Sequence, residues 1–306
     1  MNFNQKIIAA KIEAAYGVDA SPVGANAIVT RNLNVTPMEG DNLNRNIDSA
    51  QLGNSSQALV NKRGRHQYEV ELAGAGAAGD APAWGPILRA CGFSETLSVG
   101  VDAKYAPVSD SFESVTEYME WDGHLYNVLG ARGDVTFNLN SGQYPFMALN
   151  MQGLFTDPAA GTIATPDFTG FQLPVEVGNT HTTTATLHGY TIIMQSLSIQ
   201  MGNAVNYRNL VGQEAVLLSD RAPSGQIVIE APTLAQKNYF DTAKNGTLGA
   251  LQIVHGGTAG NIIQIDAPKV EIGAPNYTDD NGIMMMTIPL RYLPDAGNDE
   301  VEITVK

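Results

Sequence analysis

One local pattern, a strand followed by a short helix, occurs twice in this chain and leaves few folds open. At residues 65–93, RHQYEVELAGAGAAGDAPAWGPILRACGF, Tyr68, Val70 and Leu72 alternate with Glu69 and Glu71, the period of a half-buried strand. Beyond a glycine-rich loop, Asp80 is placed to cap a helix and Pro82 falls in its first turn. Trp84, Ile87, Leu88 and Cys91 recur at helical spacing, and Gly92 stands where a left-handed C′ residue would. The second copy begins at Ile227, Val228 and Ile229 and stops at Pro232. Thr233 and Gln236 have capping-box spacing, Leu234, Ala235, Tyr239, Phe240 and Ala243 supply an apolar face, and Gly246 ends the helix.

The loop of the first copy, GAGAAG at 74–79, spells the dinucleotide-binding GxGxxG. That motif works when it opens a long helix inside a parallel βαβ unit, with an acidic residue about 20 positions on. Glu95 and Asp102 lie at a tolerable distance. The segments that follow, however, alternate as half-exposed antiparallel strands joined by Asp122-Gly123 and Ser141-Gly142, whereas parallel strands buried on both faces read as continuous apolar runs. The second copy also lacks the glycines. The sequence therefore argues against a nucleotide site.

In chain order, residues 1–28 read as an N-terminal arm. Ile7, Ile8, Ile12 and Ala15 could form a short amphipathic helical face before Gly17, Pro22 and Gly24 break it. The arm serves either as a packed terminus or as a grip on a neighbouring subunit. Leu33, Val35 and Pro37 open the first strand, and residues 38–64 are polar and irregular, a long loop without structure of its own. Its acids come early and its bases late, which suits contact with a second copy or, equally, a solvated loop. Strands follow at 105–108, 114–121, 125–129, 135–139 and 146–154, with Arg132-Gly133-Asp134 read as a turn between two of them. Residues 156–186, rich in Thr, Pro, Gly and Ala, read as a linker or surface excursion.

The second half repeats this order. Leu197 and Ile199 answer Leu33 and Val35, and the polar segment 203–225 answers the long loop. Residues 248–254 answer 115–121, and Ile262, Ile263 and Ile265 answer 125–128. Asn281-Gly282 answers Ser141-Gly142, and residues 284–293 answer 146–155. The pattern predicts an all-β, β-rich chain with short flanking helices, built as a tandem duplication. The expected boundaries are an arm at 1–28, β-domains at 29–158 and 187–306, and a linker at 159–186.

The single cysteine, Cys91, lies on the apolar face of a helix and reads as a core residue. No apolar run approaches the ~18 residues that cross a membrane, and the N-terminus lacks the pattern of a signal peptide. The five histidines are scattered without metal-ligand spacing; His124 and His255, near corresponding turns, read as surface residues. No nucleophile elbow or Walker A sequence occurs, so no catalytic, cofactor or metal residue is assigned. A net charge of −14 disfavours nucleic-acid binding, which draws its affinity from Lys and Arg on phosphates. It remains compatible with a surface that DNA must pass without sticking.

The segments KIEAAYGVDASP, NLNVTPMEGDNLNRNIDSAQLGNSS, VELAGAGAAGDAPAWGPILRACGF and DGHLYNVLGARGDVTFNLNSGQYPFMALNMQG together resemble the major tail tube proteins of long-tailed, siphovirus-type bacteriophages. The likeness is closest over 11–155 and reaches the rest through the duplication. It implies tail-tube β-sandwich or barrel domains whose inner strands join between subunits into one channel, through which DNA passes unbound. It assigns Asn32, Asn34, Thr36, Gln67, Glu69, Glu71, Ser198, Gln200, Gln226 and Glu230 to the channel strands. Ring-to-ring stacking falls to the long loop, through Glu39, Asp41, Asn44, Arg45, Asp48, Lys62, Arg63 and Arg65, and to residues 1–28. It further implies trimeric rings with pseudo-sixfold symmetry, hexameric rings being the alternative. Tail-tip, tape-measure and tail-terminator proteins become the partners, with assembly in the bacterial cytoplasm and residence in the virion tail. A tube subunit of a related secretion or contractile injection system is a rival reading; a tandem-sandwich surface adhesin would call for a secretion signal.

Overall fold

A computed structural model of the chain describes every residue except Met1, Phe3 and Ala164. The arm expected over 1–28 and the linker expected over 159–186 therefore lie outside the described residues at those positions. The first half runs β1 (Lys6–Ile12), β2 (Ala27–Ile28), β3 (Arg31–Asn44), β4 (Gln57–Glu71), α1 (Gly85–Ala90), β5 (Phe93–Ser98) and β6 (Asp102–Pro107). It continues with β7 (Val115–Trp121), β8 (His124–Asn140) and β9 (Phe146–Phe155). The short β10 (Ala159–Ala160) precedes β11 (Thr182–Leu187), β12 (Tyr190–Thr191), β13 (Met194–Gln200), β14 (Asn203–Leu210), β15 (Gln213–Arg221) and β16 (Ser224–Glu230). After α2 (Tyr239–Lys244) come β17 (Gly249–His255), β18 (Ile263–Ile272), β19 (Asn276–Asp280), β20 (Ile283–Leu293) and β21 (Glu302–Val305). Among the described residues the chain is all-β, with two short α-helices and one 3-10 turn at Gly24–Asn26.

All pairings are antiparallel, and the two halves share one ladder order. The first runs β3-β4-β9-β8-β7-β1. The second runs β13-β16-β20-β18-β17-β11, with β19 extending β18 along the edge of β20. The halves are fused because β13 also pairs with the end of β8, from Ser196↔Asn140 to Gln200↔Thr136. A second tie is β21, which lies between β18 and β6.

Alternation sets the two faces. Tyr68, Val70, Phe137, Leu139, Met147, Leu149, Leu197, Ile199, Ile227, Ile229, Ile288 and Leu290 are all buried and form one continuous core. Each such side chain contributes roughly 1.5–3 kcal/mol relative to leaving it in water. Glu117 is wholly buried in this core, bonded by His66 Nδ1 at 2.8 Å and by the Tyr68 hydroxyl at 2.6 Å. Burial, then the neighbouring Glu117, pushes the Tyr68 phenol well above its usual range.

Several expectations are corrected. The helical face at residues 7–15 is instead β1, paired with β7 over its whole length and burying Ile8, Ala9 and Ala10. A helix so short is marginal, whereas β-branched residues between two strands pack well. The long irregular loop is a hairpin: β3 continues to Asn44, β4 starts at Gln57, and only 45–56 is loop. With both faces of its outer part in solvent, this hairpin carries no apolar alternation that could announce it.

Arg132-Gly133-Asp134 is no turn but lies inside the single long strand β8, at a bulge where the register shifts between Leu129 and Arg132. Its arginine is directed inward onto the carbonyls of Phe112, Glu113 and Val216. Asp80 caps nothing; α1 begins later, after Trp84, whose indole bonds the Ala73 carbonyl at 2.9 Å. Thr233 and Gln236 do bond each other, but in a turn ahead of α2, whose cap is Asn238, and Leu234 is exposed. His255 is buried rather than on the surface, between Thr182 and the Val175 carbonyl, and burial lowers its pKa.

Candidate functional site

The glycine-rich loop is a packing device. The Gly76 amide donates to the Gly260 carbonyl at 2.8 Å, and the Gly74 amide to Asn261 Oδ1 at 2.7 Å. A Cβ on Gly74 would lie 2.1 Å from that same carbonyl oxygen, so a glycine is required for the two halves to approach. The strand before the loop pairs antiparallel with β3 and β9, and no parallel βαβ unit is formed.

A cleft beside α1 is lined by Ala25, Ile28, Pro82, Pro86 and Arg89. The guanidinium of Arg89 is already clamped by Glu113 at 2.6 Å and by Glu95 at 3.3 Å. Its charge faces its own chain.

The polar face of the fused ladder is the most extended candidate surface. The ten residues expected in the channel strands alternate with buried or half-buried neighbours and lie on this one face. One row crosses eight strands in register: Arg31, Glu69, Ala148, Thr136, Gln200, Ser224, Arg291 and Glu271. A second row brings together Glu71, Phe146, Asn138, Ser198, Gln226 and Pro289. Glu230 lies opposite Met285 near the turns. Asn34 and Gln67 face each other in the next row, with Thr36 opposite Arg65 beyond them.

Hydrogen bonds between strands fix these side chains. Gln200 Nε2 donates to Asp134 Oδ2 at 3.1 Å, and Ser198 Oγ to Asn138 Oδ1 at 3.2 Å. Arg31 Nε donates to Glu69 Oε2 at 2.7 Å, and Asn32, at φ +54°, donates to the same oxygen at 3.0 Å. Arg31 also lies 4.1 Å from the centre of the Phe146 ring. The face thus mixes amides, hydroxyls and carboxylates, several of the latter neutralised by arginine. The residues that the resemblance assigns to channel strands share this face with Asp134, Thr136, Asn138 and Asn150, which that assignment did not include. The turn at Ser141-Gly142 was visible, but nothing in the sequence said that β8 would take β13 as its next neighbour.

The residues expected to stack rings fall on the β3–β4 hairpin. Arg63 lies 3.3 Å from Glu39 and 3.8 Å from Asp41, and Arg65 lies 3.6 Å from Glu39. The early acids and late bases therefore meet inside one hairpin. Asn44 faces Gln57 at the end of the ladder, Lys62 sits 5.9 Å from the centre of the Phe155 ring, and Arg45 and Asp48 occupy the exposed tip.

The two ends of the fused ladder take no further strand among the described residues. β3 pairs only with β4, and β19 only with β20. Open edges carry rows of free N–H and C=O groups and invite another strand. A polar-faced antiparallel sheet with such open edges defines the class, an all-β protein whose sheet can take further strands.

The sequence matches the family model described as phage tail tube protein over residues 4–292, and the chain belongs to that family. It is thus a structural protein of the phage tail. No curated protein matches it. Among the described residues no helix is long and apolar enough to cross a membrane.

Proposed function

We propose that this chain polymerises into stacked rings that form the tail tube, with the polar ladder face lining the channel through which DNA passes. The observation that carries this reading is the eight-strand ladder with one polar face and, among the described residues, a strand edge without a partner strand at each end. The equal ladder order of the halves supports a tandem duplication with β-domains at 29–158 and 187–306. Two domains per chain favour rings of three chains and about 24 channel strands, the scale of the larger closed barrels; rings of six are the alternative. A wall of amides and carboxylates offers phosphate little to bind.

The β3–β4 hairpin, through Glu39, Asp41, Asn44, Arg45, Asp48, Lys62, Arg63 and Arg65, together with residues 1–28, forms the ring-to-ring contact. Tail-tip, tape-measure and tail-terminator proteins complete the assembly, which takes place in the host cytoplasm. No cofactor or metal takes part. Negative-stain electron microscopy of the concentrated protein, with class averages viewed down the axis, tests this directly. Rings or tubes with a central channel are expected, and the averages choose between threefold and sixfold symmetry. Monomers that never assemble, even with tail-tip proteins present, overturn it.

A further inference from the structure

We infer that the seam between neighbouring copies of this chain repeats three of the five residue pairs of the seam β8·β13 within it. The free edge of β19 takes the place of the end of β8, and the free edge of β3 takes the place of β13. This rests on the tube reading above and names the strands and the register by which one copy meets the next.

The argument is one of equivalent positions. Gln67 lies between Asn34 and Asn150, and Gln226 between Ser198 and Pro289. Four residues on, Glu71 faces Phe146 and Glu230 faces Met285, so the two halves keep step. On the following strand Phe146 faces Asn138, and Met285 faces Thr278. Asn276, Tyr277 and Thr278 thus stand where Thr136, Phe137 and Asn138 stand, and Asn34, Val35 and Thr36 where Ser198, Ile199 and Gln200 stand. The internal seam joins Ser198 to Asn138, Ile199 to Phe137 and Gln200 to Thr136. The seam between copies then joins Asn34 to Thr278, Val35 to Tyr277 and Thr36 to Asn276 of the second copy.

The side chains suit these places. Asn34 with Thr278 keeps the amide–hydroxyl pairing that Ser198 and Asn138 make at 3.2 Å. Tyr277 is 43% exposed, resting on Phe240 at a centroid distance of 5.4 Å, whereas its counterpart Phe137 is fully buried. Docking against Val35 would cover it. The copied stretch ends at Thr278, because Asp279 replaces the core residue Leu139 and instead accepts from the Gly282 amide in the turn. The two edges are different surfaces of one chain, so the contact is head-to-tail and propagates until a ring closes.

Oxidative cross-linking of assembled protein tests the register. Directly opposed residues bring their Cβ atoms to about 4.5–5.5 Å, within reach of a disulfide after small adjustment, whereas diagonal neighbours lie about 7–8 Å apart. The double variant Asn34→Cys with Thr278→Cys should give a ladder of linked chains on a non-reducing gel, ending at the number of chains in the ring. Asn34→Cys with Asp280→Cys, shifted by two residues on the same face, should give at least tenfold less. The native Cys91 is buried and does not compete. Rings visible on the grid with no ladder from the first pair, or a stronger ladder from the second, overturn the register and leave the tube reading standing. Absence of rings from the unmodified protein overturns both. If the paired cysteines themselves hinder assembly, Tyr277→Asp decides: it should abolish rings while the monomer, which loses only the contact with Phe240, still unfolds in one cooperative transition, and normal rings from it overturn the inference.

Discussion

The two hairpins that crown the ladders occupy equivalent places and do opposite things. The β3–β4 hairpin continues its inner strands without a break, and its outer part stands in solvent on both faces through the exposed loop 45–56. The β14–β15 hairpin is cut off from β13 and β16, at Gly202 on one side and at Ala222-Pro223 on the other, and forms a two-stranded sheet of its own. It folds down onto the first half, burying Ala215, Val216 and Leu218. Arg132 holds it through the Val216 carbonyl at 2.9 Å, and Asn203 Nδ2 bonds the Cys91 carbonyl at 2.7 Å. Under the tandem-duplication proposal, one copy of this element has become an arm and the other a brace. The lesson is that ladder order survives divergence better than the orientation of what projects from it.

The comparison breaks most visibly at Arg132. Arg132→Ala leaves the carbonyls of Phe112, Glu113 and Val216 without their donor, which should cost on the order of 3 kcal/mol and release β14–β15. Urea unfolding and amide exchange over 203–221 report both effects; unchanged protection there would show that the guanidinium is not what holds the brace. Gly202→Val comes next. Gly202 has φ +64°, and an added Cβ would lie 2.6 Å from the Ala222 carbonyl oxygen. A loss of about 1–3 kcal/mol and faster proteolysis within 203–221 are expected.

Arg63→Ala tests the arm. The guanidinium pairs with Glu39 and Asp41 and lies 5.6 Å from the centre of the Tyr207 ring, so it also links the two hairpins at their base. Such partly exposed pairs are worth about 1 kcal/mol or less, and the loss should shrink with added salt, as thermal melts at two ionic strengths would reveal. The smallest effect on stability belongs to deletion of residues 47–54, within about 0.5 kcal/mol, since nothing of the tip is buried. Under the stacking proposal the same deletion should nevertheless leave rings that fail to lengthen into tubes, as electron micrographs would record.

The sequence carried the fold where burial was one-sided. Tyr68, Val70 and Leu72, or Leu197 and Ile199, alternate because the sheet has one core face, and that alone puts the ten polar residues proposed for the channel strands on the other. Asp122-Gly123 and Asn281-Gly282 were legible as hairpin turns because the chain there needs positive φ at both residues, 46° and 85° in the first, 54° and 89° in the second. What escaped was structure without that signature. The outer β3–β4 hairpin has no buried face. β8 runs through a bulge whose Arg132 looks like a surface charge until its three carbonyl partners are brought together by distant segments. β1 is too short for its apolar residues to separate a period of 2 from one of 3.6. The pairing of β8 with β13 joins residues about 60 positions apart, and no local pattern encodes it.

That pairing also has a consequence for how readily the polymer forms. Bringing two separate bodies together costs roughly 4–15 kcal/mol in lost translational and rotational freedom before any contact is counted. In the proposed ring of three chains, every second seam is β8·β13, already closed when a chain folds. Only half of the joints then carry that entropic penalty, and each surviving joint can be weak enough to be corrected during growth while the finished ring still holds.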